Sequence, residues 1–215
     1  MRLIGMLDSP YVRRVAISLD CLGVPFEHES VSVFSTFAQF QAINPVVKAP
    51  TLVCEDGEVL MESSLILQYV EATLAGGRTL WPRDPLELQH DLRAVGLALA
   101  ACEKSVQIVY ERNLRPAAAQ HEPWMERVRG QLLAACDGLE REVVARPAAF
   151  EAEARQAGIS AAVAWQFMQS TLAPIVPAAR CPALAALSEE RERSAVFRRY
   201  PPDGPGVPAT GAVSR

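Results

Sequence analysis

Apolar residues along the chain follow two periods, and the change from one to the other organises it. Met1 to Leu7 is a short apolar run, within which Leu3 to Leu7 predicts a strand. Pro10 opens a predicted helix whose apolar positions Val12, Val15, Ala16, Leu19 and Leu22 recur at helical spacing. Gly23-Val24-Pro25 ends it, because Gly suits the position after a helix and Pro cannot continue one. Phe26 to Val33 alternates with a period of two and predicts a strand, with one face weaker than the other. Ser35 to Ile43 predicts a short helix. Pro50 to Cys54 and Val59 to Met61 predict two strands joined by Glu55-Asp56-Gly57-Glu58, a hairpin of the Asp-Gly kind. From Ser63 to Leu74 the period is helical again, with Leu65, Ile66, Tyr69, Val70 and Thr73 on one side. The order β-α-β-α-β-β-α predicts a mixed sheet with helices on its faces.

Beyond this point the pattern is helical throughout. Ala75-Gly76-Gly77-Arg78 and Trp81-Pro82-Arg83-Asp84-Pro85 carry turn residues, so a boundary is expected near residues 76 to 86. The division expected is an α/β domain over 1–78, a linker over 79–86, an all-α helical bundle over 87–200 and a mobile tail over 201–215. Leu88, Leu92, Val95, Leu99, Cys102, Val106 and Val109 step by threes and fours along one long helix. Trp124, Val128, Leu132, Ala135, Leu139 and Val143 do the same in a second. Ile159 to Leu172 is apolar nearly all round, the profile of a helix at the centre of a bundle, and Pro174 and Pro177 stop it. Shorter helical pieces are expected around Ala183 to Leu187 and Glu189 to Phe197. The tail is rich in Pro, Gly and small residues.

Composition narrows the functional classes. With 215 residues, half of them hydrophobic, the chain can bury one large core or two modest ones. A net charge of −4 gives no basic footprint for nucleic acid. No apolar run approaches the roughly 18 residues of a membrane span, and Met1-Arg2 leads into a strand pattern rather than a signal peptide. A cytoplasmic protein is expected. The cysteines Cys21, Cys54, Cys102, Cys136 and Cys181 are scattered, with no Cys-x-x-Cys and no histidines at metal spacing. They read as small hydrophobes in a reducing compartment, which leaves no metal site and no disulfide framework.

The chemistry begins at Ser9-Pro10-Tyr11-Val12, between the first strand and the first helix. A glutaredoxin would carry Cys-Pro-Tyr-Cys there. With serine at the first place and valine at the second, dithiol exchange is excluded at this motif, since it needs an attacking and a resolving thiol. What remains is a hydroxyl at a helix N-terminus, which can stabilise a thiolate brought by another molecule. An acyl-transfer serine is a poorer reading, because His28, His90 and His121 stand in no triad setting. Lys48-Ala49-Pro50 precedes the third strand and Glu62-Ser63 opens the third helix. In a thioredoxin-type sheet these pieces cluster on one edge with Ser9.

The element order, with Asn44-Pro45-x-x-Lys48-x-Pro50-x-Leu52 and Glu62-Ser63-x-x-Ile66, resembles the cytosolic glutathione S-transferases over essentially the whole chain, and among them a bacterial serine-type member. The resemblance implies a thioredoxin-like N-terminal domain, an all-helical C-terminal domain and a homodimer. It implies glutathione and a small electrophilic co-substrate as partners, with no metal cofactor. It further implies that Pro50 is cis and that Ala49 offers its backbone N–H and C=O to the cysteinyl part of glutathione. Glu62 and Ser63 resemble the pair that receives the γ-glutamyl end, Ser63 with the helix N-terminus taking the carboxylate and Glu62 the ammonium. Lys48, one of two lysines in the chain, resembles a ligand near the glycyl carboxylate. Tyr11 and Tyr110, with Trp165 and Phe167, are candidate walls for the acceptor.

Ser9 has a defined task on this reading. Lowering a thiol pKa of about 8.5 by about two units needs about 2.7 kcal/mol of preference for the anion. One hydrogen bond to a charged acceptor supplies roughly 1.5–3 kcal/mol and a helix N-terminus roughly 0.3–1. Ser9 and the first helix are about sufficient. Simpler roles stay open at the same residues: Ser9 and Ser63 as helix caps, Pro50 as a turn, Arg13 and Arg14 as structural ion pairs. The rival functions are a non-catalytic glutathione-binding or interaction module and a glutathione-dependent lyase or dehalogenase. One departure from the family is expected to weaken a helix start: Ser160 stands as a cap with Val163 in place of its acidic partner.

Overall fold

A computed structural model of the chain describes residues 1–152 and 154–208. They form two units, the first made of Met1–Leu80 and Ser194–Gly206, the second of Trp81–Arg193 with Val207 and Pro208.

In the first unit β1 (Arg2–Ile4) leads through a five-residue turn to α1 (Pro10–Cys21), followed by β2 (Glu27–Glu29), α2 (Phe37–Ile43), β3 (Thr51–Val53), β4 (Val59–Met61) and α3 (Ser63–Thr73). The sheet order is β2-β1-β3-β4, with β1 parallel to β2 and antiparallel to β3, and β3 antiparallel to β4. Leu3 pairs with Leu52 across β1 and β3, and both are fully buried. Ile4, on the opposite face by the alternation of a strand, packs with Val31 and Phe40. The helices α1, which buries Val12, Val15, Ala16 and Leu19, and α3, which buries Ile66 and Val70, pack together, while Phe40 of α2 lies against Ile4, so both sheet faces are covered.

Several elements are shorter than the pattern predicts, each for a local reason. The first strand stops at Ile4, because Gly5 turns the backbone to a φ of +138°. The second is confined to Glu27–Glu29. Ser35 belongs to a hydroxyl-stabilised turn rather than to α2: Ser32 Oγ accepts from the N–H groups of Phe34 and Ser35, and Ser32 N donates to Thr36 Oγ1 at 2.7 Å.

The second unit contains α4 (Pro85–Leu114), α5 (Glu122–Ala145), α6 (Pro147–Glu151), α7 (Gln156–Leu172) and α8 (Pro182–Arg193). Asp84 caps α4 through Leu86 N and Glu87 N, with Pro85 at the first helical position. The stripe of α4 is buried at Val95, Cys102 and Val109, and that of α5 at Val128, Leu132 and Leu139. In α7 every residue from Gln156 to Trp165 is buried, as its all-round apolar profile requires. Glu140 of α5 caps α8 from outside, its carboxylate accepting from Ala183 N at 2.9 Å and Leu184 N at 2.8 Å. The helical pattern of 183–197 is one helix to Arg193 and then α9 (Ala195–Arg199), separated by Ser194, which caps α9.

The start of α7 corrects one expectation. Ser160 is not its cap: the helix begins at Gln156, and Ser160 lies one turn inside, with its Oγ 3.4 Å from Gln156 Oε1. What holds the N-terminal end is Arg155, whose Nε and Nη2 reach the fully buried Asp91 of α4 at 2.7 and 2.9 Å. Residues 209–215 of the tail lie outside the described residues.

Candidate functional site

Ser9 ends the turn after β1 with extended backbone, φ −74° and ψ 121°, and its Oγ lies 3.5 Å from Val12 N. Val12 N–H therefore reaches the hydroxyl only at the limit of hydrogen-bond length. Ser9 is half-buried, Pro10 occupies the first helical position, and α1 has no acidic residue in its first turn. The positive end of α1 thus meets the Ser9 hydroxyl without an internal countercharge in that turn.

Gly5 explains how the Ser9 turn comes to lie against Ala49. A Cβ on Gly5 would stand 2.6 Å from Val12 Cγ2 and 3.2 Å from Ala49 Cβ, so the backbone passes where no side chain fits. Its φ of +138° also disfavours any L residue. The Gly5 carbonyl accepts from His28 Nε2 at 2.8 Å, which fixes the turn to β2.

On the other side, Asn44 shapes the loop that carries Lys48, Ala49 and Pro50. Its buried amide donates from Nδ2 to Thr51 Oγ1 at 2.8 Å, while Thr51 Oγ1 donates to the Lys48 carbonyl at 2.8 Å and Val46 N donates to Asn44 Oδ1 at 3.0 Å. The loop contains a left-handed Val47, φ +53°, and the Ala49–Pro50 peptide is cis. Pro50 is buried, Ala49 half-buried and Lys48 exposed.

At the start of α3 the cap is Glu62, not Ser63. Glu62 Oε2 accepts from Ser64 N at 3.1 Å and Leu65 N at 3.3 Å, from a backbone with φ +76°. A non-glycine residue held there is strained by about 1–3 kcal/mol, which the surrounding structure must offset. Ser63 is the first helical residue and is buried to 1 % exposure. Its Oγ accepts from Arg14 Nη1 at 3.0 Å and lies 3.4 Å from Glu62 Oε1.

Arg14 is the residue that the sequence pattern underrated. It sits among the apolar positions of α1, is 2 % exposed, and donates to both Ser63 Oγ and Ser64 Oγ, the latter at 3.1 Å. The signal was a charge on the buried side of a helix, which needs partners because an unpaired buried charge is costly. Arg13 does not share in this: its Nε donates to the Tyr200 carbonyl at 2.7 Å, and its guanidinium lies over the Phe197 ring. Asp8, next to Ser9, carries a carboxyl that burial pushes above its ordinary value, against hydrogen bonds from the backbone of Gly206, Ser9 and Asp8 itself.

The candidate acceptor walls fall in different units. Tyr11 is on the first turn of α1 and half-buried. Tyr110, on α4, lines a shallow groove of about 380 Å³ in the second unit with Gln107, Glu111, Leu114, Arg115 and Trp124. Trp165 is core, at 4 % exposure. Among the described residues no group of three His, Cys, Asp or Glu side chains could hold a metal ion, and no helix is long and apolar enough to cross a membrane.

Residues 3–78 match the family model for the glutathione S-transferase N-terminal domain. The chain is 33% identical over 144 residues to the uncharacterized GST-like protein YibF of Escherichia coli (strain K12), covering 67% of this chain and 70% of that protein. It is 32% identical over 87 residues to glutathione transferase GST 23 of Zea mays, where the match spans 40% of this chain and 39% of the relative. A glutathione transferase family member from Pseudomonas fluorescens Pf-5, solved with bound glutathione, superposes with a TM-score of 0.81 at 27% identity, over 94% of this chain and 99% of that one. A glutathione S-transferase of Methylobacterium radiotolerans, in complex with glutathione sulfonate, does so with a TM-score of 0.83 at 26% identity, over 100% and 97%.

Proposed function

The chain belongs to the glutathione S-transferase family, and we propose that it is a serine-type member that holds glutathione as its thiolate beside Ser9 and presents it to a small electrophile. The observation that carries this reading is the convergence of the Ser9 turn, the Ala49 loop and the α3 N-terminus, joined by Gly5 and by Arg14. Solved relatives binding glutathione and its sulfonate support the ligand class.

On this reading the Ala49 backbone pairs with the cysteinyl residue like an added strand, which places the sulfur at the start of α1. The Ser9 O–H donates to the thiolate, and the α1 N-terminus adds its partial positive charge. The γ-glutamyl carboxylate lies at the α3 N-terminus, where Ser63 Oγ and the Arg14 guanidinium behind it supply donors and charge. Glu62 Oε1 faces the γ-glutamyl ammonium while its other oxygen caps the helix. Lys48, exposed at the loop, meets the glycyl carboxylate. The thiol proton leaves to solvent, and the sulfur electron pair forms a bond to the electrophilic carbon; an aryl halide then loses halide with the bonding pair, whereas in an enone the π pair shifts to the carbonyl oxygen and the α-carbon takes a proton from solvent. Tyr11, on the first turn of α1, is a candidate wall for that acceptor.

We propose a cytosolic homodimer, to which the exposed Leu65 of α3 and Leu86 and Leu92 of α4 would contribute apolar surface. The functional test is the ionisation of bound glutathione, followed by thiolate absorbance in wild type and Ser9→Ala, with turnover on a panel of aryl halides and enones. Thiolate formation at neutral pH that disappears in Ser9→Ala, with measurable turnover, supports the enzyme. Binding without thiolate and without turnover would make the protein a glutathione-binding module.

A further inference from the structure

The first unit is closed by its own C-terminal segment, which runs along α1 from the far end back to the Ser9 turn. Three ties mark the path. Arg199 Nη1 binds both oxygens of Asp20 at 2.9 and 2.7 Å. The Tyr200 carbonyl accepts from Arg13 Nε at 2.7 Å, and the Phe197 carbonyl lies 3.5 Å from Arg13 Nη2. Gly206 N donates to Asp8 Oδ2 at 2.9 Å. From Arg199 to Gly206 the partners step from Asp20 to Arg13 to Asp8, so this stretch runs antiparallel to α1 and reaches the residue before Ser9.

The ties differ in kind. Around Arg13 they are buried: its guanidinium is 1 % exposed and lies 5.4 Å from the centre of the Phe197 ring, itself 1 % exposed, and Tyr200 stacks on Phe26 at 5.8 Å. Desolvating a guanidinium costs several kcal/mol unless partners compensate, and here carbonyls of the returning segment do so. That end is an anchor. Beyond Tyr200 the sequence is Pro201-Pro202-Asp203-Gly204-Pro205-Gly206, and the bond to Asp8 is solvent-exposed. Exposed bonds in a stretch with few buried contacts open at low free energy.

The contact at Asp8 is nonetheless fitted. A Cβ on Gly204 would stand 2.1 Å from Asp8 Oδ2, so only glycine lets the arm lie this close. Gly206 has φ +68°, again a conformation suited to glycine, and this aims its N–H at the carboxylate. Burial raises the Asp8 carboxyl above its ordinary value, while the Gly206 N–H acts in the opposite direction.

We propose that residues 201–206 are a clasp, hinged at the Arg13–Tyr200 anchor and latched on Asp8, that governs how fast the thiol ligand enters and leaves the Ser9 site. The proposal rests on the reading that Ser9 holds the glutathione sulfur. Asp8 is then a positioning residue for the clasp, acting on the ligand through Gly204 and Gly206.

The test is stopped-flow binding of glutathione, followed by tryptophan fluorescence, to wild type, Asp8→Ala, Gly204→Ala and Ser9→Ala, with amide exchange at Gly206 as the readout of the latch. Asp8→Ala removes the acceptor, whereas Gly204→Ala pushes the arm off Asp8 and leaves the residues of the Ser9 turn unaltered. Both are expected to speed Gly206 exchange and to raise the entry and exit rates several-fold by a common factor, leaving the equilibrium affinity nearly unchanged. A damaged site would instead lose affinity. Wild-type entry and exit rates in both clasp variants overturn the clasp, and so does unaltered Gly206 exchange in Asp8→Ala. If Ser9→Ala weakens thiolate formation while the clasp variants keep wild-type rates, the clasp fails and the functional reading stands. If wild type does not bind glutathione, both fall together.

Discussion

Arg14 Nη1 lies 3.0 Å from Ser63 Oγ, so a guanidinium rooted in α1 reaches the first residue of α3. The same nitrogen is 3.1 Å from Ser64 Oγ. The two helix N-termini of the candidate site are thereby held by one buried cation, and that cation lies behind the hydroxyl assigned to a carboxylate.

Arg14→Lys is therefore not conservative, because the ammonium of the shorter side chain does not take the place of Nη1 at the tip of the guanidinium and lacks its other donors. Losing a charged hydrogen bond of about 1.5–3 kcal/mol is expected to weaken glutathione roughly 10- to 100-fold. Arg14→Met is expected to weaken it as much and also to lower stability, since Ser63 would lose a buried donor. Calorimetric titration and thermal denaturation separate the two effects. Unchanged affinity in both variants would remove Arg14 from the site.

Ser9 can be tested against its role as a mere cap. Ser9→Asp retains a good cap and places an anion at a helix N-terminus, so thermal stability is expected to hold or rise. The same anion repels a thiolate and donates nothing at neutral pH, so bound glutathione is expected to stay protonated and turnover to collapse. Ser9→Ala should lose about 0.5–2 kcal/mol of stability together with activity. Activity that follows stability across the two variants would reduce Ser9 to a cap.

The pH dependence expected at Asp8 has a definite sign. Its folded carboxyl titrates above the ordinary 3.8 because of burial, so the native state holds the proton more tightly than the unfolded chain. The stability it contributes is full below that ordinary value and is lost as pH rises through the raised one. Asp8→Asn removes this dependence. Its stability relative to wild type is expected to increase as pH rises above the ordinary value of 3.8, measured by urea denaturation at each pH. A difference that stays constant or shrinks would show that the carboxylate is not penalised by burial.

What the sequence disclosed and what it withheld divide along the range of the interactions. The order of strands and helices in the first unit followed from period and from turn residues such as Pro10, Gly23 and Asp56-Gly57, all of which act within a few positions. The role of Arg14 depends on Ser63, 49 residues away, and that of Arg13 on Tyr200, 187 residues away. Helical spacing places both arginines beside buried neighbours but names no partner. The return of 194–206 to the first unit is illegible for the same reason: Phe197 completes a local apolar pattern, while its burial against α1 is decided by the fold. At Glu62 the capping preference for serine pointed to Ser63, and a carboxylate with left-handed backbone took the position instead.

Asp91 and Arg155 carry the last expectation. The carboxylate is fully buried in α4 and accepts from Arg155 Nε and Nη2 at 2.7 and 2.9 Å, a paired geometry that resists rotation. Glu87 adds a second, more exposed contact at 3.1 Å. No side chain caps α7, and Arg155 occupies the position before its first turn, so this ion pair replaces a local cap with a tie to a neighbouring helix. Removing one partner of such a pair leaves the other charged and buried, which costs about 3–5 kcal/mol. Arg155→Ala is expected to fall in that range in urea denaturation, with fast amide exchange confined first to the start of α7. Asp91→Ala with Arg155→Ala together should be less destabilising than the sum of the two, because no charge is then left stranded. Additive losses would mean that the pair does not act as a unit, and that the N-terminal end of α7 is held by packing of Ala157, Ile159 and Ala161 alone.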